Sequence, residues 1–210
     1  MNSCEIKGDT MVRVGLTGGA ASGKTTVCRF FREQGVAVSI ADDLAREAVS
    51  PGSPGFDAVV AWFGDGVVAE DGGLDRPALR RQLISDPEAR RVLESIVQPE
   101  VIRLMEAFLC AEGAKGAEMA VCEVPLLFEL TLEAMFDVTL HVGVDRDTQC
   151  ARLMNRDGVT EDEASRLLAL QLSDAEKRGR ADWVLENTQG LLELKAAFYK
   201  VFDKIIKKKP

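Results

Sequence analysis

Residues 18–25 read GGAASGKT, which fits G-x-x-x-x-G-K-[ST], the pattern of loops that wrap nucleotide phosphates. An apolar stretch at residues 11–16, which we expect to form a buried strand, leads into this loop, and a helical pattern at residues 27–31 follows it. Strand, loop and helix in this order are the context that the pattern requires. The sequence therefore predicts a P-loop that binds a nucleoside triphosphate.

The positions of the P-loop have separate physical roles. Glycines allow positive φ angles and let backbone N–H groups approach phosphate oxygens, while Lys24 is expected to reach the β- and γ-phosphates. The hydroxyl of Thr25 is placed to bind Mg²⁺ and is the predicted metal ligand. The residues expected to contact the nucleotide lie in the loop and the first helical turn: Gly19, Ala20, Ala21, Ser22, Gly23, Lys24, Thr25 and Thr26.

Composition limits the classes of partner. The 210 residues carry 34 acidic and 26 basic side chains, a net charge of −8, which argues against general nucleic-acid binding. No apolar run approaches the roughly 18–20 residues of a transmembrane helix, and residues 1–10 lack an apolar signal core. We therefore expect a cytoplasmic protein without a membrane partner, in which residues 1–10 form a disordered leader.

Cysteine and histidine offer no clear catalytic group. The five cysteines show no C-x-x-C spacing, so we expect reduced and mostly buried thiols. The single histidine, His141, lies in the apolar run 138–144, where a structural role is expected.

Strand and helix signals alternate along the chain. The candidate strands are short and rich in aliphatic residues, at positions 12–16, 36–40, 119–124, 138–144 and 183–186. Near-continuous apolarity in most of them indicates a parallel sheet that is covered on both faces. We predict an α/β protein with the three-layer fold of P-loop nucleoside-triphosphate hydrolases and a five-stranded parallel sheet.

Two connections are longer than a crossover needs. Residues 43–118 predict an inserted helical subdomain, and residues 145–182 predict a lid of two helices, the second opened by a capping box of Thr160 and Glu163. The core of the single domain, residues 11–210, would then comprise residues 11–42, 119–144 and 183–206. A P-loop with two helical insertions suits a phosphotransferase that acts on a small substrate, because the acceptor needs a pocket and water must be excluded.

Further motifs follow the P-loop in an order and spacing that are specific in combination. They are ADDLAR at residues 41–46, PG at 51–52, FG at 63–64, LDR at 74–76, VPLLFE at 124–129, Arg152, RD at 156–157, Gln171, Lys177, AD at 181–182 and Asn187. From residue 11 to residue 199 the chain resembles the dephospho-CoA kinase family.

This resemblance implies ATP-dependent phosphorylation of the ribose 3′-hydroxyl of dephospho-CoA, the last step of coenzyme A synthesis, with Mg²⁺ as the metal. It implies two small-molecule substrates, ATP and dephospho-CoA, with Asn187 on the nucleotide side, and we expect a monomer or weak homo-oligomer. Another small-molecule or nucleoside monophosphate kinase is an alternative. A GTP-binding switch is a more remote one, because the sequence has neither an N-K-x-D nor a D-x-x-G signature.

Asp42 is the catalytic residue expected on the acceptor side. After the strand at 36–40 it stands where open α/β sheets place ligands, and we expect it to accept the proton of the 3′-hydroxyl or to orient that hydroxyl. The alternative is an aspartate that caps a helix starting near Leu44. The family usually has Asp-Ala-Asp here, and Ile40 replaces the first aspartate. On a strand, positions 40 and 42 share a face, so Asp43 is not expected to substitute.

Arg152 and Arg156 are spaced i, i+4 and should share a face of the first lid helix. We expect Arg152 to act catalytically, by neutralising charge on the transferring phosphoryl group, and Arg156 to bind ATP phosphates. The alternative for this face is ion pairing with Asp145 or Asp157.

The remaining candidates concern the acceptor. Arg46, Arg76 and Arg80 are expected to bind its phosphate groups, although each could form a surface ion pair instead. Glu123 and Glu129 flank the turn at Pro125, and Glu129 is the predicted substrate contact, with Mg²⁺ support through water or structural pairing as alternatives.

Overall fold

The computed structural model describes residues 11–207, so the predicted leader at residues 1–10 lies outside the described residues. The five strands expected from the sequence are present. They are β1 Val12–Thr17, β2 Ala37–Ile40, β3 Met119–Glu123, β4 Val138–Gly143 and β5 Trp183–Glu186. Their order in space, β2-β3-β1-β4-β5, confirms a five-stranded parallel sheet with β1 at its centre.

The register places the P-loop at one edge of the sheet. Leu16 near the end of β1 aligns with Glu123 of β3 and Leu140 of β4, and all these pairings are parallel. The carboxyl ends of the three strands therefore meet at the edge where the chain leaves β1.

Nine α-helices of the described chain connect or extend the strands. They are α1 Lys24–Glu33, α2 Ala41–Ala48, α3 Pro54–Phe63, α4 Arg76–Ser85, α5 Pro87–Ala114, α6 Arg146–Asp157, α7 Glu161–Ala169, α8 Asp174–Arg180 and α9 Leu191–Lys207. Within this part of the chain, no helix is long and apolar enough to cross a membrane.

Burial of the central strands and of α1 and α9 builds the main core. Val14, Leu16 and Leu140 are fully buried in the sheet, consistent with a sheet covered on both faces. Phe31 of α1 meets Phe198 of α9 edge to face, with ring centroids 4.9 Å apart. The four described cysteines are free, and burial raises the pKa of Cys28 and Cys122 to about 12, so these two thiols are unreactive.

The chain divides into two compact units, and Ile40–Phe108 is the smaller one. This unit has its own apolar core, which includes Val59, Phe63 and Leu79. Two of its helices begin at side-chain caps: Ser53 Oγ accepts the Phe56 N–H at 3.1 Å, before α3, and Asp75 caps α4 in the same way. The larger unit contains the sheet, the P-loop and the three helices that follow β4.

Two expectations about Asp42 are wrong. The strand β2 ends at Ile40 and α2 begins at Ala41, so Asp42 lies in the first turn of a helix and strand alternation does not relate it to Ile40. The capping position is Ile40, with extended dihedral angles, so Asp42 is not the helix cap. Ile40 has no side-chain oxygen and forms no cap hydrogen bond, whereas an aspartate there would be a favoured cap.

The predicted lid contains three helices rather than two. The capping box at the start of α7 is confirmed, since Thr160 Oγ1 accepts the Glu163 N–H and the Glu163 carboxylate accepts the Thr160 N–H at 2.8 Å. The unexpected helix, α8, has seven residues and a second capping box, formed by Ser173 and Glu176. Lys177 is the one buried residue of α8, so this helix has no repeated apolar positions from which the sequence could predict it.

An ion pair joins β1 to the residue before β4. Arg13 donates to both carboxylate oxygens of Asp137, at 3.0 and 2.7 Å, and the Arg13 N–H adds a third bond at 2.8 Å. Burial alone would raise the pKa of Asp137, but these hydrogen bonds outweigh it and lower that pKa. The carboxylate therefore stabilises the fold above its ordinary pKa of 3.8, and this contribution is lost as pH falls through the lower folded value.

We expect Asp137→Asn to lower the free energy of unfolding by about 1 kcal/mol at neutral pH. The difference from the wild-type protein should shrink as pH falls below 3.8 and through the lower folded pKa, because the unfolded and folded carboxyls are then both protonated. Thermal melting across this pH range measures it. Asp203→Asn, which removes an exposed carboxylate on α9, is the control and should change little. A loss that is the same at all pH values would contradict the ion-pair explanation.

Candidate active site

The P-loop folds around unusual backbone angles at the start of α1. Gly23 has φ +100° and precedes the helix without a side-chain cap, so the first N–H groups of α1 are available to an anion. Lys24 Nζ turns back to the carbonyl oxygens of Gly18 and Gly19, at 3.0 and 3.1 Å. Ala21 has φ +57°, in the left-handed region that favours glycine. A glycine would adopt this angle with less strain than the alanine that is present.

Three successive carbonyl groups of the loop accept hydrogen bonds from side chains outside it. Gln149 of α6 donates to Ala20 O at 2.9 Å, and Arg152, one helical turn later, donates to Ala21 O at 3.4 Å. Asn187, which follows β5, donates to Ser22 O at 2.7 Å. The carbonyl oxygens of these three residues therefore all have hydrogen-bond donors within the protein.

These contacts decide which way the N–H groups point. The C=O of one residue and the N–H of the next point in opposite directions in a trans peptide. The N–H groups of Ala21 and Gly23 therefore point away from the side chains of Gln149 and Asn187, which hold the preceding carbonyls. This is the geometry of a loop whose N–H groups face a phosphate. The location of the nucleotide in this loop stays a prediction.

Charge at the centre of the site comes from Lys24 and Glu123. Their side chains are 12% and 8% exposed, and Lys24 Nζ lies 3.8 Å from the Glu123 carboxylate. Ser22 Oγ is also buried and has no hydrogen-bond partner in the described structure. A buried hydroxyl without a partner is costly, and a phosphate oxygen would satisfy it.

The oxygen atoms near the P-loop are suitable for Mg²⁺ bound together with ATP. Thr25 is exposed in the first turn of α1, and Glu123 ends the strand next to β1. No group of three or more histidine, cysteine or acidic residues that could hold a metal is found among residues 11–207. Mg²⁺ commonly takes one or two protein oxygens, water and substrate phosphates, so such a group is not required.

The two candidate arginines of α6 have different surroundings. Arg152 bridges the P-loop and Asn187, whose backbone oxygen accepts from its Nη2 at 3.1 Å, and its position beside the loop agrees with a role near the phosphates. Arg156 is exposed and donates twice to Asp157, at 2.7 Å each, and these bonds lower the pKa of Asp157. The ion-pair alternative therefore describes Arg156 in this structure, and binding of ATP by Arg156 stays a prediction.

Glu129 has structural partners. Its carboxylate accepts from the fully buried Lys177 at 2.8 Å and from the Leu172 N–H at 2.9 Å, and Lys177 also donates to Pro125 O at 3.0 Å. The pair thus joins the turn after β3 to α8. This is the structural alternative considered for Glu129, and its role as a substrate contact stays a prediction.

The smaller unit has a groove of about 590 Å³ that combines charged and apolar walls. Asp42, Arg46 and Arg76 line it together with apolar side chains that include Leu74 and Leu93. Arg46 pairs with Asp43 in the same helix. The lining of the groove does not include Arg80, although the sequence analysis grouped it with Arg46 and Arg76.

The sequence analysis missed Gln149. Nothing in the sequence marks this residue, because its role depends on a contact with a loop 129 residues earlier. The structure supports the structural role expected for His141. Burial lowers its pKa, and its Nε2 lies 2.7 Å from Asp174, whose carboxylate also binds Arg178. His141 is thus part of the packing between β4 and α8.

Comparisons with known proteins place the chain in one family. The family model described as dephospho-CoA kinase matches residues 12–193. The dephospho-CoA kinase of Anaeromyxobacter dehalogenans is 45% identical over 83% of this chain and 82% of its own length. That of Geobacter sulfurreducens is 40% identical, with coverage of 91% and 97%.

Solved structures share the fold of this chain. TT1252 from Thermus thermophilus superposes with a TM-score of 0.77 at 36% identity, covering 92% of this chain and 97% of its own. A dephospho-CoA kinase from Campylobacter jejuni has a TM-score of 0.72 at 21% identity, with coverage of 93% and 97%, and supports the fold. The chain belongs to the dephospho-CoA kinase family.

Proposed function

We propose that this chain transfers the γ-phosphoryl group of Mg²⁺-ATP to the ribose 3′-hydroxyl of dephospho-CoA, giving coenzyme A and ADP. The observation that carries the proposal is the P-loop, in which outside side chains hold three successive carbonyls and the start of α1 has no side-chain cap. Family membership supplies the acceptor. Phosphoryl transfer needs mainly positioning and charge stabilisation, which such a loop provides.

On the nucleotide side, we assign phosphate binding to the P-loop N–H groups and to Lys24. Arg152, held beside the loop by Ala21 O and Asn187 O, still has other N–H groups to offer to the transferring phosphoryl group. Asn187 supports the loop through Ser22 O. Arg156 would have to leave Asp157, or share its charge, to contact ATP.

On the acceptor side, we assign the groove of the Ile40–Phe108 unit to dephospho-CoA. Its two arginines suit the phosphate groups, and its apolar wall suits the less polar arm of the molecule. Asp42 in this groove would accept the proton of the 3′-hydroxyl as the new P–O bond forms. The assignment of residues 43–118 to acceptor binding and of residues 145–182 to a lid follows from this proposal.

Bound Mg²⁺ would neutralise charge on the ATP phosphates, and Thr25 would hold it as the proposed protein ligand, with Glu123 as a contact through water. We expect Thr25→Val, which keeps the shape and removes the hydroxyl, to raise the Mg²⁺ concentration for half-maximal activity by about 10- to 100-fold. Titration of activity with Mg²⁺ at constant ATP measures this. Thr26→Val is the neighbouring control and should shift the titration much less. An unchanged Mg²⁺ requirement in Thr25→Val would reject Thr25 as the ligand.

The decisive experiment measures ADP release from Mg²⁺-ATP with and without dephospho-CoA and identifies the product by mass. Strict dependence on the acceptor, with one phosphate added to the ribose, is the expected result. Coenzyme A is the matched control, because its 3′-position already carries phosphate and should accept none. Turnover with nucleoside monophosphates instead would support the alternative kinase. Oligomeric state and cytoplasmic location stay predictions.

A further inference from the structure

We propose that Gln149 and Gln171 are positioning residues that together hold the P-loop in its phosphate-binding conformation. They bind opposite polar groups of one residue. The carboxamide of Gln149 donates to Ala20 O at 2.9 Å, and the carboxamide oxygen of Gln171 accepts the Ala20 N–H at 3.0 Å. We call this pair of contacts the Ala20 clamp. The clamp needs a donor at position 149 and an acceptor at position 171.

The fit of Gly19 against Gln149 is a second observation for the clamp. A Cβ at Gly19 would lie 2.2 Å from Gln149 Nε2, whereas the φ angle of Gly19 is not in the left-handed region. The glycine at position 19 is therefore explained by the space that the Gln149 side chain occupies. It is not explained by a backbone angle that favours glycine. Gln149 is itself only 7% exposed, so its carboxamide is largely shielded from solvent.

The loop has a physical need for such a clamp at the following residue. Ala21 adopts φ +57°, a conformation that alanine disfavours and that must be held by its surroundings. Fixing the Ala20 carbonyl fixes the Ala20–Ala21 peptide plane and hence the direction of the Ala21 N–H. Without the donor at position 149, we expect this peptide to rotate and the N–H to leave the phosphate site.

The clamp also connects the P-loop to two different parts of the 145–182 segment. Gln149 lies on α6, and Gln171 lies between α7 and α8. Docking of both parts is therefore required for the complete clamp. The conformation of the loop, and with it the affinity for ATP, becomes dependent on the position of these helices.

Paired Gln→Glu substitutions separate the clamp from a general effect of charge. Both changes add one negative charge beside Ala20, but glutamate keeps the acceptor that position 171 needs and removes the donor that position 149 needs. We expect Gln149→Glu to raise the Kd of ATP by about 10-fold, and Gln171→Glu to change it by about 2-fold or less. Both side chains border a cavity of about 100 Å³, so neither change is crowded.

The measurement is equilibrium binding of ATP without acceptor, followed by steady-state kinetics. The KM for ATP should follow the Kd in Gln149→Glu, while the KM for the acceptor stays near the wild-type value. Equal loss of ATP affinity in both variants would show a charge effect and overturn the proposal. Unchanged affinity in Gln149→Glu would overturn it as well. Thermal melting of both variants identifies a folding defect, which would lower the apparent kcat through the folded fraction and leave both KM values near the wild-type values.

Gly19→Ala supplies an independent test that adds no charge. In the wild-type background its Cβ displaces Gln149, and we expect ATP affinity to fall by about as much as in Gln149→Ala. In the Gln149→Ala background the clash is gone, so the added methyl group should cost little more. Additive losses in the double variant would overturn the proposal.

The inference rests on the proposed function only in taking ATP as the ligand. If the wild-type protein binds ATP but does not phosphorylate dephospho-CoA, the proposed acceptor is wrong and the binding comparison still tests the clamp. If the wild-type protein turns over dephospho-CoA while Gln149→Glu and Gly19→Ala bind ATP normally, the clamp is wrong and the proposed function stands.

Discussion

Replacing Lys24 by methionine is expected to lower kcat by about 10²- to 10³-fold. The ammonium group lies where the loop carbonyls of Gly18 and Gly19 hold it, at 3.0 and 3.1 Å, and its side chain is 12% exposed. A positive charge in so enclosed a place stabilises charge on the transferring phosphoryl group far more than it would in water. Methionine fills a similar volume without this charge. Single-turnover measurements at saturating ATP isolate the chemical step.

Lys24 also forms an ion pair with Glu123, so the effect of Lys24→Met on stability must be separated from its effect on activity. Lys24→Met removes a charged partner, 3.8 Å away, from a carboxylate that is 8% exposed, and we expect the melting temperature to fall. The double variant Lys24→Met/Glu123→Gln also removes that carboxylate charge. It should recover much of the melting temperature and none of the activity. If kcat returns with stability, Lys24 acts structurally and its catalytic assignment is wrong.

Local signals explain how much of the fold the sequence predicts. The P-loop pattern, the five apolar strands and the Thr160–Glu163 capping box each depend on residues close together in the chain. They therefore appear in the structure at the expected places. The start of α2 was misjudged, near Leu44 instead of at Ala41, because Ile40 occupies the capping position without being a capping residue type.

Only the residues of the candidate site that belong to a local sequence motif could be predicted from the sequence. Lys24 and the loop glycines follow from the pattern, since their roles are fixed by local backbone geometry. Gln149 is an ordinary polar residue on α6, and its contact with Ala20 arises from tertiary packing. The pairing of Glu129 with Lys177 likewise depends on α8, which the sequence did not reveal.

Asp42→Asn is expected to lower kcat by about 10²- to 10⁴-fold, the usual range for loss of a general base. Asparagine keeps the size and one oxygen of the side chain but cannot accept the proton of the 3′-hydroxyl. Asp42 is exposed and lies in the first turn of α2, so little packing is lost. Substrate binding should change less than kcat, because proton transfer belongs to the chemical step.

Asp43→Asn is the matched control for this assignment. Asp43 follows Asp42 in the same helical turn and is likewise exposed, so both substitutions remove an acidic group that the helix dipole favours. Asp43 pairs with Arg46, whereas Asp42 lines the groove assigned to the acceptor. We therefore expect similar small changes in melting temperature and a large fall of kcat in Asp42→Asn alone. Equal effects of the two substitutions on kcat would mean that Asp42 merely stabilises the start of α2, and that the proton must leave by another route.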